Sequence, residues 1–216
     1  MLSHIPNLRF VIIEEGWENV PSKMFWNCKK LSTVVLPQSV KSVGALSFAG
    51  CKALRSMNLP TCLRSINAGA FFGCEGLEEI NIPSSVTYVN ATAFQNTLIM
   101  SHKSGVVKKD GWILGWVGDE VMNVEIPIEG KERLAEGCFA ASTAKINLTV
   151  NGLYNDIASM FVGASNLLSL TVNSAITNYW SLKRYDIYGW ISAVIFVRAD
   201  AEIRGGRRKC LVGDCE

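Results

Sequence analysis

Seven cysteines are the residues of this sequence best suited to chemistry, because thiolates can bind zinc, form disulfides or act as nucleophiles. Cys28, Cys51 and Cys74 follow one another at a constant interval, whereas Cys62 and Cys138 are isolated in the sequence. Even spacing is typical of a repeated structural position. We therefore predict that the three evenly spaced cysteines are small, packed side chains, with a disulfide bridge between neighbouring repeats as the alternative.

The other possible sulfur and imidazole ligands for a metal in this sequence are two cysteines near the C-terminus and two histidines. Cys210 and Cys215, in the segment CLVGDC, lack CxxC spacing and have no second cysteine pair or histidine nearby, so a disulfide in the tail is the main alternative to free thiols there. The only histidines are His4 and His102, which we expect at the surface. The sequence predicts no metal site and no cofactor.

Catalytic motifs are also missing from the sequence. It contains no G-x-S-x-G elbow, no G-x-x-x-x-G-K-[ST] loop and no G-x-G-x-x-G fingerprint, and the serine in GALSFAG is Ser47, which merely precedes a recurring phenylalanine. Asp and Glu are scattered, so a paired-carboxylate site stays open as the alternative. We predict no catalytic residue, and we expect that the protein is not an enzyme.

Four columns of residues recur every 23 positions and organise the chain. They are Leu8, Leu31, Leu54 and Leu77; Phe25, Phe48, Phe71 and Phe94; the three evenly spaced cysteines; and the prolines of Leu36-Pro37, Leu59-Pro60 and Ile82-Pro83. Aliphatic pairs at spacing two, such as Val34 and Leu36, put both side chains on one face of a strand. The pattern predicts stacked coils whose strands form a parallel sheet over a continuous apolar core.

One repeat, from Leu31 to Ala53, reads L-x-x-V-x-L-P-x-S-V-x-x-V-G-x-x-S-F-x-G-C-x-x. It resembles the BspA-like leucine-rich-repeat family, closely over residues 8–97 and more loosely afterwards. The resemblance implies a right-handed solenoid with a parallel β-sheet on one face and short helical or irregular turns on the other. It also implies a protein-binding module without catalytic residues, of the kind found in bacterial and protist surface proteins that bind host proteins or other cells.

The columns predict a single solenoid of about nine coils over residues 1–203, followed by a basic, cysteine-containing tail at residues 204–216. One coil, near residues 98–123, is degenerate, and Asp110-Gly111 lies there between two apolar runs, which predicts an embedded β-hairpin. Trp112, Leu114 and Trp116 alternate and should share one face of its second strand. They either fold over the gap left by the degenerate coil, or Trp112 and Trp116 form an exposed aromatic patch that binds a partner.

The residues between the inward aliphatic pairs should point outward and form a face with one row per coil, beginning with Phe10 and Ile12. We predict that this face binds a protein partner, although the same positions could simply be solvated residues that favour strands. The proposed binding residues are Thr33, Val35, Ser56, Asn58, Glu79, Asn81, Asn123, Glu125, Ser169 and Thr171.

A structural or assembly unit that makes contact through its ends is the alternative function. The first strand, residues 10–13, has no phenylalanine-bearing coil before it, so we expect self-association through this N-terminal coil or coverage by upstream sequence. Because the formal net charge is +2 and the basic run Arg204–Lys209 is glycine-containing, a solvated tail is expected and a nucleic-acid partner is not.

Targeting signals are equally scarce. No apolar run approaches the length of a membrane span, and the N-terminus does not read as a signal peptide. The sequence as written predicts a cytoplasmic protein, whereas the family resemblance predicts the cell surface.

Overall fold

Stacked coils make up the computed structural model, and equivalent residues of neighbouring coils are 23 positions apart, as Asn7 and Lys30 are. The strands are short and parallel from coil to coil, and helix is confined to a few residues in the part of the chain that the structure describes. The predicted repeat solenoid is therefore confirmed as the fold class. The structure describes residues 2–3, 5–101, 105–118, 120–126, 133–150, 164, 167–172 and 195–197.

The strands that the aliphatic pairs predicted are present in successive coils. In register, Phe10 lies opposite Thr33, and Ser56 lies opposite Glu79. The middle side chains of the strands Thr33–Val35 and Glu79–Asn81 point inward, so Val34 and Ile80 are buried. These strands are β1 (Phe10–Ile12), β3 (Thr33–Val35), β5 (Ser56–Asn58), β7 (Glu79–Asn81), β11 (Val121–Ile126), β13 (Lys145–Val150), β14 (Leu167–Val172) and β15 (Ile195–Val197).

A second ladder of parallel strands runs along the coils, where the sequence predicted short helical or irregular turns. Each of its strands has only two residues: β2 (Asn19–Val20), β4 (Ser42–Val43), β6 (Ser65–Ile66) and β8 (Tyr88–Val89). One residue of each pair is buried and the other is not. Turns complete the coils, together with the 3-10 helix Ala91–Phe94 and the helix α1 (Leu98–Ser101). No helix in the described part of the chain is long and apolar enough to cross a membrane.

The phenylalanine column forms a stack of buried rings through the centre of the solenoid. The centroids of Phe25 and Phe48 are 5.3 Å apart, those of Phe48 and Phe71 are 5.5 Å apart, and those of Phe71 and Phe94 are 5.7 Å apart. Neighbouring rings are within 14° of parallel. Each inner ring thus covers the rings of both neighbouring coils. Contacts between adjacent coils are therefore sufficient to exclude water from this part of the core.

Part of a coil precedes the first strand, although this coil carries no phenylalanine, as the sequence indicates. Leu2 stands one repeat before Phe25, and its N–H donates to the carbonyl of Met24, just as the Phe25 N–H donates to the carbonyl of Ser47. Leu2 therefore takes the phenylalanine position with an aliphatic side chain, of which 40% is exposed. The sequence search missed it because leucine replaces the aromatic residue that defines the column.

The predicted hairpin is present in the degenerate coil. Its strands, β9 (Gly105–Lys109) and β10 (Trp112–Val117), pair antiparallel. Asp110 and Gly111 connect them with φ angles of 46° and 78°, as a two-residue turn of this type requires. A carboxylate oxygen of Asp110 accepts a hydrogen bond from the N–H of Ile82 at 2.7 Å, which fixes the turn to the preceding coil.

The solenoid continues on both sides of the hairpin. β10 pairs in parallel with β12 (Arg133–Leu134) on its other edge. Farther along the coil, Glu136 pairs with Asn90, 46 residues earlier, so at this position the second ladder passes over two repeat lengths. The inserted residues are thereby held within the stack rather than projecting from it.

We expect Phe71→Ala to lower the free energy of unfolding by about 3–5 kcal/mol, because it leaves a cavity between two stacked rings. The adjacent Phe72, which is 39% exposed, provides a matched control, and Phe72→Ala should cost roughly 1 kcal/mol or less. Chemical denaturation measures both values. Hydrogen exchange should rise first in the coils of Phe48 and Phe94; a uniform rise along the chain would contradict stability built from neighbouring coils.

Candidate interaction face

The outward side chains of β1, β3, β5 and β7 form an exposed face, which we call the sheet face. Strand geometry places alternate residues on opposite sides, so the inward residues are buried while their neighbours face solvent. Of the predicted binding residues, these strands carry Thr33, Val35, Ser56, Asn58, Glu79 and Asn81, and all six are exposed. Because the backbones of paired strands bond to one another, a partner would meet mainly side chains here.

The sheet face changes from apolar to polar along the stack. Its large apolar side chains are Phe10, Ile12 and Val35, which are 54%, 60% and 46% exposed. Ile12 and Val35 are opposite each other in register, so they form a continuous aliphatic surface. The next two strands present only Ser, Asn and Glu in the equivalent positions. The apolar end is the part of the face that gains most free energy when it is covered.

The later strands form a second exposed surface, with Asn123 and Glu125 on β11 facing solvent. The Asn147 side-chain amide donates to the Asn123 side-chain oxygen at 3.0 Å, and the Ser169 hydroxyl donates to the Asn147 side-chain oxygen at 2.8 Å. Ser169 is half-buried, and Thr171 lies opposite Thr149 in register. This row is a ladder of amide and hydroxyl groups that already bond to one another.

The two surfaces do not form the single sheet with one row per coil that the sequence predicted. Among the described residues, β1 pairs with β3 and β5 with β7, while β11, β13, β14 and β15 form a separate sheet. The hairpin of β9 and β10 comes between these groups in the chain.

The tryptophans of the hairpin do not form the exposed aromatic patch that was one of two predictions. Trp112 is 3% and Trp116 is 2% exposed, and Leu114 between them is fully buried. The Trp116 ring stacks on that of Phe139, one repeat later, with centroids 4.8 Å apart, so it takes the aromatic position of the degenerate coil. The Arg133 guanidinium lies over the Trp112 ring at 4.5 Å. These side chains are core, and only the alternative prediction agrees with the structure.

The evenly spaced cysteines are packed inside the solenoid, as the first of their two predictions states. The Cys51 thiol donates to the Phe25 carbonyl at 3.3 Å, and the Cys74 thiol donates to the Phe48 carbonyl at 3.1 Å. The Cys28 thiol donates in the same way to the carbonyl of Leu2. No disulfide joins the cysteines that the structure describes, so the alternative of a bridge between repeats is wrong.

The chemistry of these thiols is suppressed by their surroundings. Hydrogen bonding with Cys74 and burial raise the pKa of the Cys51 thiol, and burial raises the pKa of Cys138 to about 12. Within the described ranges, no three His, Cys, Asp or Glu side chains are grouped as a metal site would require. The predictions for Cys210, Cys215, His4 and His102 concern residues outside those ranges, as does the prediction for the tail.

The chain is similar to known leucine-rich repeat proteins. Residues 2–104 match the family model of the BspA type Leucine rich repeat region in six copies. A leucine-rich repeat protein from Bacteroides ovatus ATCC 8483 is 21% identical, with a TM-score of 0.44, over 88% of this chain and 43% of that one. The T. pallidum leucine-rich repeat protein is 25% identical, with a TM-score of 0.40, over 82% of this chain and 81% of its own. The chain thus spans less than half of the B. ovatus protein, and a comparison with curated proteins found no match.

Cys62, which is exposed, should be alkylated first among the five described cysteines when the native protein is treated with iodoacetamide near pH 8. The thiolate is the reactive species, and with a pKa of about 12 the fraction of Cys138 in that form at pH 8 is about 10⁻⁴. Mass spectrometry of the peptides reports each site, and unfolding in guanidinium should make all five react. If Cys51 were modified as fast as Cys62, its thiol would be accessible to the reagent and therefore not packed in the core.

Proposed function

Because residues 2–104 match the family model of BspA-type leucine-rich repeats, we propose that this chain is a non-enzymatic protein-binding module whose sheet face contacts the partner. Leucine-rich repeats are generally protein-binding and non-enzymatic, which supports both parts of the proposal. The observation that carries it is the exposure of the outward residues on four successive strands, while the residues between them are wholly or partly buried.

The apolar end of the sheet face supplies the energetic argument. Protein interfaces bind mainly through a few large side chains surrounded by polar groups. Phe10, Ile12 and Val35 can act as such anchors, and Thr33, Ser56 and Asn58 surround them with side chains that can form hydrogen bonds. Covering a fully exposed aliphatic side chain is worth about 1.5–3 kcal/mol, so these three residues are the positions on the sheet face where contact with a partner contributes most.

Adhesion is the finer form of this proposal. The family resemblance implies bacterial and protist surface proteins that bind host proteins or other cells. Surface location and adhesion by this chain therefore stay predictions, and labelling of intact cells with an antibody against the chain tests the location.

We expect the double variant Asn58→Arg/Asn81→Arg to lose its partner in a pull-down, because it places two long side chains opposite each other on neighbouring rows of the sheet face, where they obstruct contact with the strands. A loss of about 2 kcal/mol corresponds to roughly 30-fold weaker binding. Ala68→Arg/Thr87→Arg is the matched control, since both residues are exposed and lie in the same two coils near the second ladder. If every protein captured by the wild type is also captured by the face variant, the sheet face is the wrong surface.

A second candidate function is assembly through the N-terminal coil. In the described part of the chain, β1 is paired along one edge only, by β3. The exposed side chains of Phe10 and Ile12 lie beside its unpaired edge. An unpaired edge bordered by apolar side chains favours pairing with a further chain.

This candidate predicts that the chain self-associates at high concentration and that Ile12→Lys weakens the association by adding charge beside the open edge. Light scattering over a concentration series measures the mass. Val121→Lys, at a position 52% exposed on β11, adds the same charge elsewhere and should have no effect. A monomeric wild type at high concentration would eliminate assembly and leave partner binding by the sheet face untouched.

A further inference from the structure

One segment of the solenoid has a one-sided charge that the net charge of the protein conceals. Residues 19–74 contain seven Lys or Arg residues and no Asp or Glu. The formal charge of the whole chain is +2, because acidic residues elsewhere compensate. The stacked coils bring these cations together, since positions one repeat apart in sequence are neighbours in space.

Five cations lie where the chain enters the strands of the sheet face, and we call them the basic ridge. Arg9 directly precedes β1 and Arg55 directly precedes β5, while Lys29, Lys30 and Lys52 lie in the turns just before β3 and β5. All five are exposed. The Ala53 N–H donates to the Lys29 carbonyl, which places the turn of Lys52 directly on that of Lys29.

Only part of this charge is compensated within the protein. Lys52 forms an ion pair with Glu75 at 2.5 Å, and the Lys30 ammonium donates to the side-chain oxygen of Asn7 at 2.9 Å. Arg9, Lys29 and Arg55 have no ion-pair partner among the residues that the structure describes. Lys29 and Lys52 lie in adjacent coils, which are separated by about the 5.3–5.7 Å of the ring stack, within the roughly 10 Å over which charges act at 0.1 M salt. Arg9 and Arg55 are two coils apart.

We infer that the partner of the sheet face is a protein segment that combines carboxylates with apolar side chains. The inference rests on the proposed function, and it specifies the chemistry of the ligand. The basic ridge would attract the carboxylates, while Phe10, Ile12 and Val35, beside it on the strands, would accept the apolar side chains. A nucleic acid would use the cations but would leave the aliphatic surface of Ile12 and Val35 uncovered.

Fluorescence anisotropy with defined peptides tests this chemistry on the full chain. The probe is a short labelled peptide in which Glu alternates with Val. Replacing every Glu by Lys should abolish binding, and replacing every Val by Ser should weaken it. Raising the salt concentration from about 0.1 M to about 1 M, which shortens the screening length from about 10 Å to about 3 Å, should weaken it as well. A short DNA duplex that binds more tightly than the probe would overturn the inference.

Charge reversal locates the binding site. We expect Lys29→Glu/Arg55→Glu to weaken binding of the Glu-Val probe by about tenfold or more, since two attractions become repulsions. Lys23→Glu/Arg64→Glu changes the net charge equally at exposed positions outside the basic ridge, and should weaken it by less than about threefold. Thermal unfolding of both double variants checks that each remains folded, because Arg55 lies against Glu78 of the next coil. Equal losses in the two variants would show a general charge effect and would overturn the inference.

The two proposals can fail separately. If Asn58→Arg/Asn81→Arg loses a captured partner that Lys29→Glu/Arg55→Glu retains, the sheet face is a binding surface and the acidic partner is wrong. If both variants retain every partner, the sheet face itself is wrong. If both lose the same partner while their control variants keep it, both proposals are supported.

Discussion

The structure depends on one constraint, which is that each side chain must pack against its equivalent in the next coil. A parallel ladder repeats the same backbone hydrogen bonds from coil to coil, so equivalent residues lie directly above and below one another. A residue type that recurs at one position must therefore pack well against its own kind. Phenylalanine meets this condition because its ring offers two apolar faces. Cysteine meets it because a thiol is small enough for the turn and can donate to a carbonyl of the preceding coil.

Charged residues meet the same constraint less easily, because like charges repel when they are stacked. Several columns avoid repulsion by changing sign between neighbouring coils: Glu18 is followed by Lys41 and Lys52 by Glu75, and both pairs form ion pairs. The step from Lys29 to Lys52 in the second of these columns does not follow this rule, because both residues are cationic and they are adjacent in the stack. Exposed ion pairs contribute little to stability, so these columns are under weak structural constraint and can take their charges from the needs of binding.

The sequence predicted the parts of the fold that depend on repetition. The aliphatic pair of Val34 and Leu36 identified the strands of the sheet face, and Asp110-Gly111 identified the hairpin, because period and turn chemistry are local signals. The second ladder was missed because two residues, such as Ser42–Val43, are too few to show an alternation. Trp116 was not recognised in the aromatic position because it differs in type from the phenylalanines and breaks their exact spacing after Phe94. The basic ridge was missed because its cations come from three coils and become a cluster only when those coils are stacked.

The degenerate coil shows how core and surface are separated in such a fold. Its apolar residues still satisfy the stack, since Trp116 covers Phe139 and β10 joins β12, so the core continues through the insertion. The hairpin of β9 and β10, whose strands pair antiparallel, lies in the chain between the strands of the sheet face and those of the later sheet. Because the inward positions alone maintain the solenoid, the outward ones can be exchanged, interrupted or charged without loss of the fold. The same separation allows the first two strands of the sheet face to carry apolar side chains beside a basic ridge, while the later strands carry a ladder of amides and hydroxyls that bond to one another.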